Sequence, residues 1–526
     1  MVDRIQKYHP SRNTFFAVLP GFATMARLVS KKPISFVVTP FQSAGASMYR
    51  GSQFQRGQAL IYGIFVLMGG LTALYFLFNT GQLSSEKTKL VNTADAVAYS
   101  AGVMQARALN FDAYSNRALV ANEVLVAQMV SLSSWGQYVS THANNLTQVF
   151  PECLDFNSAA AAAVFNYDPV YGLFCFLTTT TYGVDIMDLG GRAVTSGAVA
   201  AITPIEASKR AILSAQALLH APAYFQTVSL RVMQEVADRN YAGDGAVTVA
   251  AFAGAPSVAK PGATDVLNDF TSLYADAARV RFAEVARLAA YSDGFVRERS
   301  WTSEAALLPP TEWKCFGKKL KNSVKRRGGT ELINLDEWKA EDTESFWRLT
   351  NAGGINLKCN IREHVIGYGE QQAHSSDQDQ DESLASLGGS PKTNPRASGQ
   401  ASTDAWTEYT GLPSFYDLSD LDPAKNPVMQ FRVRLTRNAA STRTSAGTSA
   451  IASTPRLNNF QNNFADGVMT AVAGGEVFFE RPLTAPNEPA QGNYNQYAEK
   501  NGSPDRREIG SLFNPYWQVR LIQSSP

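Results

Sequence analysis

The sequence predicts an α+β fold. It reads as a single amino-terminal transmembrane helix continuing into a helical stalk, then a helix-rich region and a mixed, strand-containing carboxy-terminal body. Three observations predict this. The stretch Ala59 to Phe78, ALIYGIFVLMGGLTALYFLF, carries no charge. Residues 89–139 contain no proline and repeat apolar side chains at helical spacing. From residue 295 onward, short, aromatic, partly alternating runs replace the Ala-rich helical pattern.

The uncharged run extends from Gly57 to Ser85, between Arg56 and Glu86. About 20 apolar residues of helix span a hydrocarbon core of roughly 30 Å. A helix also satisfies every backbone polar group internally, which lipid demands. Gly63, Gly69 and Gly70 do not argue against a span, because glycine is common in membrane helices. The alternative, a buried core helix, would have to be apolar on every side, which is rare in soluble folds. Arg4, Lys7, Arg12, Arg27, Lys31, Lys32, Arg50 and Arg56 precede the run, against one acid, Asp3. Basic flanks stay cytoplasmic, so the expected topology is a single pass with the amino end inside and residues 81–526 outside. A cleaved signal is disfavoured because the run is too long for a signal core and Asn79-Thr80-Gly81-Gln82 is not a small-residue cleavage site. A prepilin-type cut after Gly57 would want Glu five residues on, and Tyr62 stands there.

Length and composition set the outer bounds. The chain has 526 residues, 45% hydrophobic and 11% aromatic, enough for a substantial core. A net charge of +1 gives no nucleic-acid signal. The four cysteines, Cys153, Cys175, Cys315 and Cys359, all fall on the expected outer side, where disulfides form. Pairing 153 with 175 and 315 with 359 closes the shortest loops, and free buried thiols are the alternative. No pair has C-x-x-C spacing, so redox and zinc chemistry are not indicated.

Residues 1–56 read as a basic cytoplasmic tail interrupted by Pro10, Pro20, Pro33 and Pro40. Met48 stands just before RGSQFQRGQ and is an alternative translation start. The span is placed at 57–80 and the outer stalk helix at 81–150. On the stalk, Leu90, Ala94, Val97, Ala101, Met104, Ala108 and Phe111 recur at steps of four and three. That is one helix face, near the 3.5-residue seam of a coiled coil. Two readings follow: an amphipathic helix packed on its own domain, or a helix that self-associates with other copies through residues 89–139.

The residues here also resemble a known family. RGQALIYGIFVLMGGLTALYFLFNTGQLSSEKTKLVNTADAVAYSAG resembles the amino-terminal segment of TadG-like proteins of the Tad/Flp pilus-assembly systems. The matching positions are Arg56, Gly57, Gln58 and Ala59, then Gly81 and Leu83, then Leu90, Asn92, Ala94, Asp95, Ala96, Ala98, Ala101 and Gly102. Asn79, Gln82 and Tyr99 depart from the usual pattern. A weaker likeness lies in GGEVFFERP (474–482) and LFNPYWQVRL (512–521). The resemblance implies a membrane-anchored pilus-assembly component whose partners are the membrane and other pilus-assembly proteins.

Residues 151–294 read as a helical region. One helix is expected to start at Pro204-Ile205-Glu206 and run to Asn240. A second is expected from Asp265 to Tyr291, stopping at Ser292-Asp293-Gly294. Residues 156–187 are apolar but broken by Asp168-Pro169 and Gly172, and read as core rather than a second span. Residues 295–526 read as strand-rich, with Arg327-Gly328-Gly329 as a turn and a disordered insertion at 371–404. Met429 to Arg437 alternates with Phe431, Val433 and Leu435 on one face. The last strands are expected in VMTAVAGGEVFFER and WQVRLI.

No catalytic motif stands out. There is no P-loop, G-x-S-x-G or H-E-x-x-H. The five histidines, His9, His142, His220, His364 and His374, lack ligand spacing. Asp377, Asp379 and Asp381 start like a calcium loop, but Glu382 replaces the required Gly and Gly388 the required Glu. The basic run from Lys314 to Arg327 reads as a solvated hairpin face or an anion-binding surface. The expectation is therefore a non-catalytic protein without cofactor, metal or nucleic-acid partner. The alternative is an envelope-anchored adhesion or carbohydrate-binding module built on an aromatic groove, for which Trp301, Trp313, Trp338, Trp347 and Trp406 are candidates.

Overall fold

A computed structural model describes residues 56–149, 181–221, 224–252, 266–303, 312–315, 318–351, 359–375, 391–420, 427–438, 468–480 and 510–523. The chain divides into two units, Met1–Leu74 and Tyr75–Pro526. The described part of the first is helical. It is the beginning of α1 (Arg56–Val149), a helix of 94 residues.

The second unit adds α2 (Thr181–Leu219), α3 (Tyr224–Asn240), β1 (Thr248–Phe252), α4 (Val266–Phe270) and β2 (Thr271–Tyr274). Then come a 3-10 turn at Asp276–Arg279, α5 (Val280–Ala290), α6 (Gly294–Arg297), β3 (Trp301–Ser303), β4 (Glu312–Cys315) and β5 (Lys318–Lys321). The long strands β6 (Ser323–Asn334), β7 (Glu337–Asn351) and β8 (Cys359–His374) follow, and α7 (Pro395–Ser398), β9 (Phe415–Leu418), β10 (Val428–Asn438), β11 (Val468–Phe479) and β12 (Trp517–Ile522) complete the described elements. One antiparallel sheet has the order β1-β10-β11-β12 and another β3-β6-β7-β8; β2-β9 and β4-β5 are two-stranded. The architecture is the expected α+β.

Apolar spacing on α1 builds two cores. Leu90, Ala94, Val97 and Leu109 join Phe225, Met233, Phe431, Val433, Leu435 and Val477 in the first. Leu119, Val126, Ala127 and Val130 join Ile202, Phe282, Ala286, Leu332 and Trp338 in the second. The alternation read in Met429–Arg437 is present: Phe431, Val433 and Leu435 are buried, and so are Met429 and Arg437 on the same face.

Sheet edges leave backbone N–H and C=O groups unpaired, and an edge packed on a helix cannot turn them to water. Here helix side chains meet them. Asn110 on α1 donates from Nδ2 to the Trp517 carbonyl at 3.0 Å and accepts at Oδ1 from the Trp517 N–H at 3.0 Å. Gln234 on α3 treats the β1 edge alike, donating to Val247 O at 2.8 Å and accepting from Val249 N. Along β8, Thr141 accepts from Tyr368 N at 2.8 Å and donates to Tyr368 O, while Gln137 accepts from Glu370 N at 3.1 Å. Further along β8, the backbone of Trp406 pairs with His374 N and Gln372 O.

Several expectations are corrected. Arg327-Gly328-Gly329 is not a turn but the middle of β6. A Cβ on Gly328 would strike the Asp342 carboxylate, which is buried and held by Arg299 Nε at 2.8 Å, so glycine serves close packing between paired strands. Pro204 does not start a helix; it lies inside α2, whose buried Ala198, Ile202, Glu206 and Lys209 are held on both sides of it. The single helix expected over 204–240 is α2 and α3, which end and begin at Leu219 and Tyr224. The region 151–294 is not wholly helical, since β1 and β2 lie within it and the expected helix 265–291 is α4, β2, the 3-10 turn and α5. Its predicted stop holds: Asp293 accepts from Phe295 N and caps α6. The insertion 371–404 is ordered at both ends, because Gln371–His374 complete β8 and Asn394 bonds Thr343 and Lys325. Residues 376–390, with the acidic Asp377–Glu382, and residues 156–180 lie outside the described set.

Replacing Asn110 with Ala orphans both backbone groups of Trp517 and is expected to cost about 1–3 kcal/mol, the penalty for buried unpaired polar groups. Thermal unfolding checks this against Asn144→Ala, an exposed position whose change is expected to stay within about 0.5 kcal/mol.

Candidate functional site

The features with functional content lie along α1. From Ala59 to Leu74 every side chain is exposed, among them Leu60 at 70%, Val66 at 74% and Phe65 at 67%. An exposed apolar surface of this size marks a membrane or partner contact. Among the described residues, one helix is long and apolar enough to cross a membrane. Arg56, Gly57 and Gln58 belong to the same helix, and Ala59 is exposed.

Further along, the motif residues turn inward. Leu90, Ala94 and Ala98 are fully buried in the first core, with Val97, Ala101 and Ala108 beside them. The seam read from sequence therefore packs on the chain's own sheet as far as Ala108. Phe111, its last member, is 41% exposed. A straight helix drifts about 20° per heptad from a strict seven-residue repeat, so Leu109, Asp112 and Ala113 take the buried positions instead. Gly102 lets the helix touch β12: a Cβ there would collide with Val519 and stand 3.2 Å from Phe431 Cζ. The carboxy-terminal likeness thus meets the amino-terminal one, because GGEVFFERP and LFNPYWQVRL contribute the adjacent strands β11 and β12. Asp95 is half-buried. Asn92 is exposed and borders a polar cleft with Ser84, Ser85, Thr88, Lys89, Thr93 and Asn240.

A set of buried charged and polar residues on α1 was not read from sequence. At the start of the body, Arg437 lies between Glu86 at 3.3 Å and the Asp244 carbonyl at 2.6 Å, with its guanidinium over the Tyr241 ring. Lys89 pairs with Asp244 at 2.6 Å. Burial raises the Glu86 carboxyl, with Arg437 opposing. Asp112 lies 2.9 Å from Nε2 of His220, whose ring stacks on Tyr416 at 3.7 Å. Asn116 donates to Tyr416 O and Leu512 O and accepts from Gln216. Deeper, Lys209 sits 2.6 Å from Glu123 and 2.8 Å from Glu206, while Trp338 and Tyr409 donate to Glu123. Burial raises the Glu123 carboxyl, and Lys209 offsets this in part. Two carboxylates around a lysine resemble acid–base machinery, but Glu123, Lys209 and Glu206 are each 1% exposed or less, and their partners are core side chains and backbone. They tie α1 to α2. The legible signal was the spacing 112, 116, 123: polar residues on one stripe of an otherwise apolar helix.

Near the end of α1, His142 Nδ1 lies 2.9 Å from Glu344, which also accepts from Tyr138. Burial alone would raise the Glu344 carboxyl; the hydrogen bond and charge of His142, the Tyr138 hydroxyl and the Arg326 charge together outweigh it and hold it below the usual range. Burial and the Glu344 charge push the Tyr138 hydroxyl up.

Of the tryptophans proposed for an aromatic groove, Trp338 and Trp406 are in the second core, Trp347 is half-buried with Lys325 over its ring, and Trp301 is 45% exposed. Trp313 lies on β4, and its side chain is outside the described set. So are the side chains of all four cysteines; Cys315 ends β4 and Cys359 begins β8. His364 is exposed on β8.

Residues 57–108 match the Tad family model, Flp pilus-assembly TadE/G-like. The chain carries a TadE/G-like segment. That segment holds the apolar run, the buried seam Leu90–Ala98 and the Gly102 contact with β12. No curated protein matches over the chain, and no solved structure does.

Gly102→Val drives side-chain atoms into Val519 and is expected to destabilise the body by about 1–3 kcal/mol; adding Val519→Ala should recover part of this in thermal unfolding. The Glu344 carboxyl gives a second expectation. Its folded pKa lies below the unfolded value of about 4.3, so its contribution is present above that pH and lost as pH falls through the folded value. Glu344→Gln should lower the unfolding temperature at pH 7 and flatten its decline below about pH 4.3.

Proposed function

We propose that this protein is a membrane-anchored, non-catalytic component of a Tad/Flp-type pilus, an assembly factor or minor pilin-like subunit acting through helix packing and protein–protein docking. The observation that carries this reading is the TadE/G-like match, which spans the apolar run and the first packed stretch of α1 together. The span crosses the bacterial inner membrane once. Its basic flank holds the amino terminus in the cytoplasm, which puts the α+β body in the periplasm. Arg56, Gly57, Gln58 and Ala59 act at membrane entry. Leu90, Ala94, Ala98 and Gly102 set the body against the helix, while Asn92 and Asp95 face outward or half outward. Because residues 90–108 of the seam are taken by the chain's own core, docking or self-association through 89–139 falls to the remaining faces of α1. In the oxidising periplasm, Cys153, Cys175, Cys315 and Cys359 are disulfide candidates. The adhesion-module reading has less support, since two of its five tryptophans are core residues.

Tags at residues 1 and 526 test the topology in cells with a permeabilised outer membrane. Added protease should remove the carboxy-terminal tag and spare the amino-terminal one, and deletion of the gene should abolish surface pili in electron micrographs. Protection of both tags would place the body in the cytoplasm and end the pilus reading.

A further inference from the structure

From Arg107 onward, α1 carries a second seam that no part of the described chain covers. Arg107, Phe111, Tyr114, Ala121 and Leu125 are exposed and Ala118 is half-exposed. Their spacings run four, three, four, three and four, the alternation by which one helix presents a face to another. Phe111 is 41%, Tyr114 63% and Leu125 42% exposed, so the ridge is apolar and aromatic. Ala118 and Ala121 leave shallow positions between the large side chains, which is what a partner's knobs need. At about 1.5 Å per residue the ridge is about 27 Å long, about five turns of helix. It stops where the chain covers its own helix: the next seam position, Gln128, donates to Asp293 at 3.0 Å.

The charge on this face is one-sided. Arg107 lies on the ridge and Arg117 beside it, both exposed, and neither forms an ion pair or side-chain hydrogen bond among the described residues. The acids of this stretch, Asp112 and Glu123, are buried and engaged with His220 and Lys209. A second copy laid on the ridge would set arginine near arginine, which costs free energy at an apolar interface.

We propose that the α1 face of Arg107, Phe111, Tyr114, Ala118, Ala121 and Leu125 is a docking seam for an acidic, amphipathic helix of a partner protein. This deepens the docking reading above and rests on it. The heptad spacing selects a helix, the exposed aromatics supply the apolar contact, and the two unpaired arginines select carboxylates flanking the partner's apolar stripe.

The test uses the full-length chain in detergent with a photocrosslinking amino acid in place of Tyr114. The probes are two synthetic helical peptides with the same Leu/Ala stripe, one flanked by Glu and the other by Lys. The Glu peptide should label about tenfold more than the Lys peptide at low salt. The preference should fade in about 1 M salt, where screening acts within about 3 Å. Arg107→Glu with Arg117→Glu should invert it; both sites are exposed and unpaired, and an unchanged thermal unfolding curve verifies that the variant folds. Equal labelling by both peptides, labelling by neither, or an adduct to a second copy or to the chain's own segments that the Glu peptide fails to displace would overturn the proposal. The pilus phenotype of the deletion strain is independent of this result, so failure here leaves the broader function standing or falling on its own experiment.

Discussion

Every backbone N–H and C=O taken out of water needs a partner, and in this protein one helix supplies many of them. Strand edges that pack on α1 would otherwise bury unpaired amides. Asn110 meets both backbone groups of Trp517, Asn116 meets two carbonyls, and Thr141 and Gln137 serve β8. A carboxamide presents a donor and an acceptor on one plane, so it mimics a neighbouring strand at one position. The two sheets are thereby registered on the same rod. Apolar contact alone would tolerate sliding along α1, whereas these bonds fix where each strand lies.

The buried charges follow the same logic with larger consequences. Glu123, Lys209 and Glu206 lie where desolvation is most costly, and each is surrounded by fixed partners. Removing one partner from such a group is far more damaging than replacing the whole set with apolar residues. The arrangement therefore adds specificity of helix pairing between α1 and α2 more than net stability. Arg437 does the same between β10 and the start of the body, linking Glu86 of α1 to the loop after α3.

The parts legible in the sequence were those governed by local rules. The uncharged run, the helical spacing from Leu90 to Ala108, the alternation in β10 and the strands β11 and β12 all follow from side-chain periodicity. Misreadings arose where tertiary packing overrode a local signal. Gly328 looked like a turn residue because glycine permits turns, yet it serves the approach of Asp342 across a ladder. Pro204 looked like a helix start, yet packing on both sides keeps the helix running through it. The polar ends of 371–404 looked disordered, yet Asn394 and Gln371 have specific partners. In the candidate site, the buried stripe of Asp112, Asn116 and Glu123 needed knowledge of which helix face turned inward, and the partners are about 100 to 400 residues away in the chain.

The contact between Gly102 and Val519 also orders events in time. Helix residues 102–110 are made well before the strand that covers them, β12, which is the last of the described elements. The first core thus joins stretches separated by some 400 residues, and loop closure over that length precedes any reward from the contact. Until β12 arrives, the β11 edge and the small-residue face of α1 stay open together. Newly made chains therefore pass through a stage in which that face is accessible to other proteins, and docking of β12 ends it.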